Sequence, residues 1–394
     1  MKTITTTFLK STSITLASLL ALPVLALAQG GDLEPPGAPE PTMRTLDEVE
    51  PRTPISELPS EIEEPGSYYL TENLTSEEGG ITIKANQVTL DLNGYKLLGS
   101  GDDSGDGILV EPLLVFNPIT EETSDAPRRD IVIRNGHVSS WSENGINAEW
   151  AENSRFEGLS VSNNDADGLE TGESCVVENV VASLNGDHGV VSPKSTVKTV
   201  TAKNNTGVGI SADGGNVTNS AASDNSGSGI IAENGSVSDS TAHDNGGVEI
   251  QAFDGSVSHS VATSNSETGI RSPGGTVANS HASDNEELGI NADRGAVTNS
   301  QANDNGETGI NAIGGSVTHS VATSNGEIGI NVYGLIVIGF SPETISGSVT
   351  HSVANQNEGT GIYASGGVVA FSRAGLNEDG DIIAAEQTGN WSED

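Results

Sequence analysis

The chain has 394 residues, and 55 acidic residues against 16 lysines and arginines give it a formal net charge of −39 at pH 7. A polyanion of this strength is not expected to bind nucleic acid or acidic membranes, because like charges repel. Aromatic residues make up only 4% of the chain and Cys175 is its one cysteine, so neither a large aromatic core nor an intramolecular disulfide is available to stabilise the fold.

Residues 1–28 have the features of an export signal. Lys2 and Lys10 supply positive charge, an apolar stretch follows at 14–27, and small residues precede position 29. A membrane anchor is the alternative, but the stretch is short for a bilayer span and Pro23 interrupts it. We therefore expect cleavage of a signal peptide, a secreted or periplasmic bacterial protein, and no membrane insertion afterwards.

An acidic, proline-rich linker is expected at 29–52, because proline and repeated like charges favour an extended chain. The ordered part should then begin with an N-terminal cap and larger first coils over 53–140, from which 112–129 protrudes as a loop. Alternating apolar residues that end at Asn-Gly turns predict strands in this region. The clearest of them lie at 81–83, 88–92 and 131–135.

From residue 205 onward the sequence repeats every 20 residues with the pattern G-I-x-A-x-x-G-x-V-x-x-S-x-A-x-x-N. Its apolar residues lie two or five positions apart, which favours short strands over helices. The most regular column is asparagine: Asn205, Asn225, Asn245, Asn265, Asn285, Asn305 and Asn325.

Three short strands and three turns fit into one repeat, so each repeat predicts one coil whose strands pair in parallel with their equivalents in the next coil. Ile210 and Ala212 should point inward from the first strand, Val217 from the second and Ala222 from the third. We expect the asparagines to stack and hydrogen-bond along the axis. The column glycines, such as Gly215, are expected to provide corner conformations closed to other residues.

Regular coils are predicted over 141–385, with an insertion at 335–346 and a C-terminal tail at 386–394. Because the repeat resumes at 347–352 in the same pattern as 315–320, the insertion should bulge from the solenoid without disturbing its core. We interpret it as folding onto a neighbouring face or, alternatively, as contacting a partner or ligand. The residues available for such a contact are Leu335, Ile336, Val337, Ile338 and Phe340.

Several stretches resemble a known family. They are Thr53-Pro54-Ile55, Pro65-Gly66-Ser67-Tyr68-Tyr69-Leu70, 88–94 and 131–136, followed by coils with an Asn-x-x-x-Gly-Ile signature. Over 53–385 the chain resembles exported bacterial right-handed parallel β-helix repeat proteins of the pectin-lyase-like superfamily. The resemblance implies an all-β fold, a right-handed single-stranded parallel β-helix with coils of about 20 residues. It also implies that the chain is either a polysaccharide-active enzyme or a member without catalytic activity.

The residues favour no catalytic site. A lyase of this superfamily would use Arg or Lys as a base with acids holding calcium, yet basic residues are scarce after residue 200. Arg271 is the candidate base there, and we interpret it as a solvated side chain. The superfamily's hydrolase pattern, paired aspartates followed by Gly-His-Gly, is absent, and the nearest sequence, 186–189, is placed at an ordinary corner. We therefore predict no catalytic residue and no convergent cluster of unusual side chains.

Calcium is the one cofactor considered. Two stretches place oxygen ligands at alternate positions before a glycine, as at the start of a calcium loop. The predicted ligands are Asp102, Ser104 and Asp106 in the first stretch and Asn163, Asp165 and Asp167 in the second. Neither stretch has the terminal glutamate at the required distance, so ordinary turn chemistry remains the alternative.

His319 and His351 fall on successive coils once the insertion is excluded, which predicts side chains about 5 Å apart. A shared metal ion and a plain surface pair are the alternatives, and the polar column around them favours the surface pair.

The sequence thus favours a non-catalytic surface or extracellular protein that binds a polysaccharide or a cell-surface protein. The alternative is a polysaccharide-active enzyme: a lyase, a glycoside hydrolase or an epimerase. Whether the protein is catalytic stays open at this point.

Overall fold

The computed structural model describes residues 52–333, 335–337, 343–345 and 347–393. The side chains of 335–337, 343–345 and 391–393 are outside this description, as are the predicted signal 1–28 and all of the linker 29–52 except Arg52. Every regular element in these ranges is a strand. No helix that could cross a membrane is found there.

The repeats form a parallel β-solenoid of about 16 turns with coils of roughly 20 residues. Equivalent residues of successive coils pair in register, as in Ile210 with Ile230 and Val217 with Val237. The predicted all-β solenoid is confirmed, and it is the fold that the resemblance to the pectin-lyase-like superfamily implies. We name its three sides after the residues that point inward: the isoleucine, valine and alanine faces.

The isoleucine face carries one strand per coil, with the Gly-Ile step of each repeat at its start. Its strands are Ser60–Ile62, Ile81–Ile83, Ile108–Val110, Ile146–Ala148, Leu169–Thr171, Val190–Val191, Ile210–Ser211, Ile230–Ile231, Ile250–Gln251, Ile270–Arg271, Ile290–Asn291, Ile310–Asn311, Ile330–Asn331 and the first parts of Ile362–Ala370 and Ile382–Thr388. The last two strands continue onto the valine face.

The valine face follows along the chain, with Thr53–Ile55, Gly66–Leu70, Val88–Asp91, Thr196–Lys198, Asn216–Thr218, Ser236–Ser238, Ser256–Ser258, Thr276–Ala278, Ala296–Thr298, Ser316–Thr318 and Ser348–Thr350. The alanine face has Leu74–Ser76, Lys96–Gly99, Thr201–Lys203, Ala221–Ser223, Thr241–His243, Val261–Thr263, His281–Ser283, Gln301–Asn303, Val321–Thr323, Val353–Asn355, Arg373–Gly375 and Trp391–Glu393. Three long strands run through both faces: Val132–Ser139, Arg155–Ser162 and Val176–Ser183.

Three small pairs lie outside the main sheet. Leu113–Asn117 and Glu122–Ala126 form an antiparallel hairpin within the predicted protruding loop, and Arg128–Arg129 pairs in parallel with Ala151–Glu152. Leu335–Val337 pairs antiparallel with Glu343–Ile345, inside the predicted insertion.

The coils on either side of 335–346 stay in register, since Val317 pairs with Val349 and Ile330 with Ile362. At the C-terminal end, pairing extends into 386–394, because Trp391–Glu393 adds to Arg373–Gly375. Parallel pairing requires only backbone groups, so the sheet continues where the repeat pattern of side chains has ended.

Inward side chains form one narrow apolar core along the axis. Ile210, Val217 and Ala222 are fully buried, and the same holds for their equivalents in the neighbouring coils. The larger first coils enclose larger side chains, including fully buried Trp141 and Phe156. Each coil buries little apolar area alone, so stability depends on stacking many coils.

The predicted stacking of the asparagines is confirmed, and their side chains form a hydrogen-bonded ladder that is interrupted at Asn245, whose Nδ2 donates to Glu249 instead. Asn205 Nδ2 donates to Asn225 Oδ1 (2.9 Å), and Asn225 Nδ2 donates to Asn245 Oδ1 (2.8 Å). Asn225 Oδ1 also accepts the backbone N–H of Asn205 in the preceding coil (3.0 Å). The ladder therefore satisfies buried corner amides that no strand partner reaches.

The expectation for the column glycines was wrong in its cause. The left-handed corner conformation belongs to other columns, including Asn219 (φ 48°) and Asp224 (φ 55°). Gly235 is glycine for a steric reason, because a Cβ there would lie 2.0 Å from the carbonyl oxygen of Gly215 in the preceding coil. Close approach of successive coils, and not an unusual φ, selects glycine at this position.

Replacing Asn225 by alanine should lower the free energy of unfolding by about 3 kcal/mol, because it leaves buried donors and acceptors of the ladder without partners. Chemical denaturation of the variant and the parent protein measures the difference. Exposed Ser226, replaced by alanine, is the neighbouring control. Equal stability of the two variants would show that the ladder does not stabilise the solenoid.

Glu249 replaces the glycine of the Gly-Ile step in one coil and is fully buried. Its carboxyl group accepts from Asn245 N (3.0 Å) and from Asn245 Nδ2 (2.6 Å). Burial raises the pKa of this carboxyl group from 4.5 to about 8, with the hydrogen bonds from Asn245 opposing the shift.

Between pH 4.5 and about 8, folded Glu249 keeps a proton that the unfolded chain releases. The free energy of unfolding should therefore fall as pH rises through this window, by up to about 1.4 kcal/mol per pH unit. Glu249→Gly restores the repeat and should remove this dependence, whereas exposed Glu286→Gln should leave it unchanged. Denaturation curves at several pH values test this, and parallel pH profiles for parent and Glu249→Gly would contradict it.

Candidate functional site

The isoleucine face of the first coils differs from the rest at the position just before its Gly-Ile step. Later coils carry small or apolar residues there, such as Val208 and Ser228. The first coils carry Asp106, Asn144, Asp167 and His188 in succession, and we call these four residues the acid ladder.

Each member of the acid ladder accepts a backbone N–H from the next coil. Asp106 Oδ1 accepts from Asn144 N (2.9 Å), Asn144 Oδ1 from Asp167 N (2.9 Å), and Asp167 Oδ1 from His188 N (2.8 Å). The ladder thus caps corner amides and holds its own side chains in fixed positions.

His188 ends the ladder with a ring nitrogen as the acceptor. Its Nδ1 accepts the N–H of Val208 (2.8 Å), so the proton of the neutral imidazole is on Nε2. The 3.3 Å contact between this Nδ1 and Asp187 Oδ1 is therefore not an ion pair in this state. Gly207 allows the arrangement, because a Cβ there would lie 2.3 Å from both of these atoms.

Two amide side chains connect the ladder to the adjoining strand. Asn147 and Glu170 are paired neighbours that both point outward on the isoleucine face. Asn147 Nδ2 donates to Asp106 Oδ2 (3.1 Å), and Asn144 Nδ2 donates to Glu170 Oε2 (3.3 Å). Asn147 Oδ1 is buried and has no hydrogen-bond partner among the described residues. The three acidic residues Asp106, Asp167 and Glu170 are thereby connected to the amide side chains of Asn144 and Asn147.

Burial raises the pKa of each of these carboxyl groups. The pKa of Asp106 rises to about 6, although its bonds from Asn144 and Asn147 oppose the shift. Burial also raises the pKa of Glu170, and the neighbouring charges of Asp167, Glu149 and Asp106 raise it further. The pKa of Asp167 is raised by burial against the hydrogen bond from His188. Carboxyl groups in this state can donate a proton under mildly acidic conditions.

Glu170 also lines a cavity of about 280 Å³ at the corner that follows the isoleucine face. Glu149 and Trp150 share its wall, and Pro127, next to the protruding hairpin, lies at its edge. We call this the carboxylate cavity. The flat, half-buried indole of Trp150 offers an apolar surface on which the C–H-rich face of a sugar ring can pack.

Two further glutamates of the cavity wall are neutralised by cations. Glu152 pairs with Arg129 (2.6 Å), and Glu173 pairs with Lys194 (2.5 Å). Glu149 and Glu170 have no such partner in the described part of the chain. The cavity therefore contains one pair of uncompensated carboxyl groups, of which Glu170 is the more buried.

The predicted calcium ligands lie in different surroundings. Asp106 and Asp167 belong to the acid ladder, whereas Asp102, Asn163 and Asp165 are exposed. The sixth, Ser104, is buried and accepts the N–H of Ser142 through Oγ (3.1 Å). Each of the two predicted calcium-binding stretches thus contributes one residue to the acid ladder.

A different group of ligand atoms converges at the ladder. Atoms of Asp167, Asp187 and His188 all lie within 4.8 Å of one another. Calcium prefers a shell made only of oxygens, and a histidine with two carboxylates is a donor set more typical of zinc or another transition metal. Calcium binding thus remains a prediction of the sequence.

The remaining candidates lie elsewhere. The rings of His319 and His351 stack with centroids 4.9 Å apart, which confirms their predicted proximity. Arg271 is exposed and lies over the ring of Phe253 (5.0 Å). For the insertion, only the strand positions of Leu335, Ile336 and Val337 are described, and Ile338 and Phe340 lie outside the described residues.

The expectation that no unusual side chains converge was wrong for the first coils. Aligning the position before each Gly-Ile step would have revealed Asp106, Asn144, Asp167 and His188 as one column. The contact between this column and Glu170 could not be predicted from the sequence, because it depends on how coils of unequal length stack.

No family model and no curated protein matches the sequence. Similar solved structures include the A-module of mannuronan C-5 epimerase AlgE4 from Azotobacter vinelandii, with 11% identity over 84% of this chain and 91% of that chain and a TM-score of 0.38. The periplasmic alginate epimerase AlgG matches with 11% identity over 83% and 77% and a TM-score of 0.29. Pectate lyase Pel9A matches with 16% identity over 73% and 71% and a TM-score of 0.32. We assign the fold from the strand pairing of this chain and not from these similarities.

Asp167 tests whether the acid ladder stabilises the coils through its acceptor atoms. Asp167→Asn keeps an oxygen for His188 N, as Asn144 does one coil earlier, and should leave the free energy of unfolding nearly unchanged at neutral pH. Asp167→Ala removes the acceptor and should cost about 1–3 kcal/mol. Chemical denaturation distinguishes the two variants, and equal losses of stability would contradict a capping role.

Proposed function

We propose that the chain is an exported, polysaccharide-active protein that cleaves glycosidic bonds in the carboxylate cavity. The observation that carries this proposal is the pair Glu149 and Glu170, which faces a cavity beside Trp150 without compensating cations. Glycoside hydrolysis uses two carboxyl groups, one protonated and one ionised, on either side of the scissile bond. Export rests on the signal expected at 1–28.

Glu170 is the proposed general acid. Burial and the surrounding carboxylates raise its pKa, so it retains a proton to a higher pH than an ordinary glutamate. It would donate this proton to the glycosidic oxygen as the bond breaks. The hydrogen bond from Asn144 fixes one carboxyl oxygen, and the acid ladder maintains the negative surroundings that favour the protonated form.

Glu149 is the proposed second carboxylate, acting as base or nucleophile at the exposed side of the cavity. Trp150 would hold the sugar ring between the two groups. Because the pair has no cation beside it, the reacting sugar unit should be uncharged, since a negative group on that unit would be repelled.

A second candidate function is glycan binding without cleavage. It is favoured by one observation: Asp106, Asp167 and His188 all use an acceptor atom to cap the next coil. In that case these three residues would stabilise the coils, and Trp150 would bind a sugar ring that is not cleaved.

Turnover of a polysaccharide panel separates these functions. The protein should release new reducing ends from at least one neutral polysaccharide, such as a glucan, a xylan or a mannan, and not from pectate or alginate, whose sugar units are charged, each tested with and without calcium. Glu170→Gln and Glu149→Gln should each lower the rate by about 100-fold or more. Glu173→Gln is the control, because Glu173 lines the same cavity but is paired with Lys194.

The rate should also fall as pH rises through the raised pKa of Glu170, because the acid must be protonated. Binding without new reducing ends would favour the non-catalytic function. Unsaturated products would indicate a lyase and contradict hydrolysis.

A further inference from the structure

The protruding hairpin, formed by Leu113–Asn117 and Glu122–Ala126, carries a concentrated group of exposed apolar side chains. Leu114 is 67% exposed, Phe116 is 60% exposed, and Ile119 in the connecting turn is 91% exposed. The two strands form a sheet of their own, and a two-stranded ribbon has little stability by itself in water. Exposed apolar side chains in such a group mark a surface that contacts another molecule.

A cavity of about 520 Å³ lies at the corner after the isoleucine face, farther toward the C-terminal end than the carboxylate cavity. We call it the aromatic pocket. Four apolar members of one column form much of its wall: Phe253, Pro273, Ile313 and Tyr333. Earlier coils carry acids at the same position, namely Asp213 and Glu233. The change from acidic to apolar residues makes this concave stretch of the corner suitable for apolar side chains.

The charged groups at the aromatic pocket are of both signs and equal in number. Asp254, Asp293 and Arg294 line it, and the guanidinium group of Arg271 lies over the ring of Phe253 (5.0 Å). The two arginines are the only basic residues other than histidine between 204 and 372. In a chain with a net charge of −39, an acidic segment can therefore approach this pocket with less repulsion than it meets at the acidic corners.

The hairpin is such an acidic segment. Its apolar side chains are followed by Glu121, Glu122 and Asp125, and no lysine or arginine lies between 113 and 126. Entry of an apolar side chain of the hairpin into the pocket would bring these carboxylates close to the two arginines. The hairpin and the pocket thus match in apolar character and in charge.

The hairpin is too short to enter the pocket of its own chain. It follows the coil of Ile108, whereas the first pocket residue, Phe253, follows Ile250. Six coil-to-coil pairings separate these two coils, through Ile108, Ile146, Leu169, Val190, Ile210, Ile230 and Ile250. Six steps of about 4.8 Å amount to about 29 Å, but a strand of five residues extends only about 17 Å.

We infer that the aromatic pocket of one copy receives the protruding hairpin of a second copy. Apolar side chains of 114–119 pack against Phe253 and Tyr333, and the acids of the hairpin lie beside Arg271 and Arg294. Because hairpin and pocket are different surfaces, each pair of copies keeps one free hairpin and one free pocket, so further copies can add. The inference involves neither a sugar nor a reaction and is independent of the proposed cleavage.

Sedimentation velocity of the purified protein tests the inference. The average mass should rise with concentration up to about 0.5 mM. A hairpin variant, Phe116→Ser with Ile119→Ser, and a pocket variant, Phe253→Glu, should each weaken self-association at least about tenfold. Phe253→Glu introduces the residue of position 233 and should fold, with thermal unfolding as the check.

Val181→Thr is the matched control. Val181 is 40% exposed and lies outside both surfaces, and threonine is the residue of its partner position 201 in the next coil. This variant should associate as the parent protein does, and a loss of association equal to that of the other two variants would contradict a specific contact.

Mixing the two variants tests the pairing of hairpin with pocket. The hairpin variant keeps an intact pocket and the pocket variant keeps an intact hairpin, so the mixture should form a one-to-one dimer that does not grow, although neither variant associates alone. Three results would overturn the inference: a parent mass that does not change with concentration, undiminished association of the pocket variant, or no dimer in the mixture. The second would show that hairpins pair with each other.

Discussion

The structure depends on one constraint, the close parallel pairing of each coil with the next. The coils approach so closely that a Cβ at Gly235 would overlap the carbonyl oxygen of Gly215, only 2.0 Å away. At this separation, corner amides that lack a strand partner must be satisfied by side chains. The asparagine ladder does so through both its amide and carbonyl groups, and the seryl hydroxyls do so at another corner, as in Val200 N to Ser220 Oγ (3.1 Å). Repetition of small polar residues is the consequence of this requirement.

The same pairing determines where chemistry can arise. Equivalent residues of successive coils become neighbours along the axis, so a column of one residue type forms a uniform surface with no specific site. A site forms where a column changes. At the position before the Gly-Ile step, Asp106, Asn144, Asp167 and His188 give way to Val208, and three carboxyl groups with raised pKa values, those of Asp106, Asp167 and Glu170, lie together on the N-terminal side of this change.

Two cavities at the corner after the isoleucine face differ in the charged residues of their walls. In the first coils, cations neutralise two glutamates of the carboxylate cavity, as Arg129 does for Glu152, and leave Glu149 and Glu170 uncompensated. Several coils later, the wall of a second cavity contains charges of both signs: Asp293, which accepts from the side-chain amide of Asn311, and Arg294. The two cavities of this corner thus differ in the charges of their walls.

The 20-residue period predicts the solenoid, its inward residues Ile210, Val217 and Ala222, and the stacked asparagines, because a strict period places each of these in every coil. It also located the insertion, since the repeat resumes in register after it. The pairing of Asn147 with Glu170 and the place of Trp150 and Glu170 in one cavity wall are known only from the structure, because the first coils differ in length and no period predicts how they stack. The steric reason for the column glycines was likewise decided by the distance between coils, a quantity that no single repeat contains.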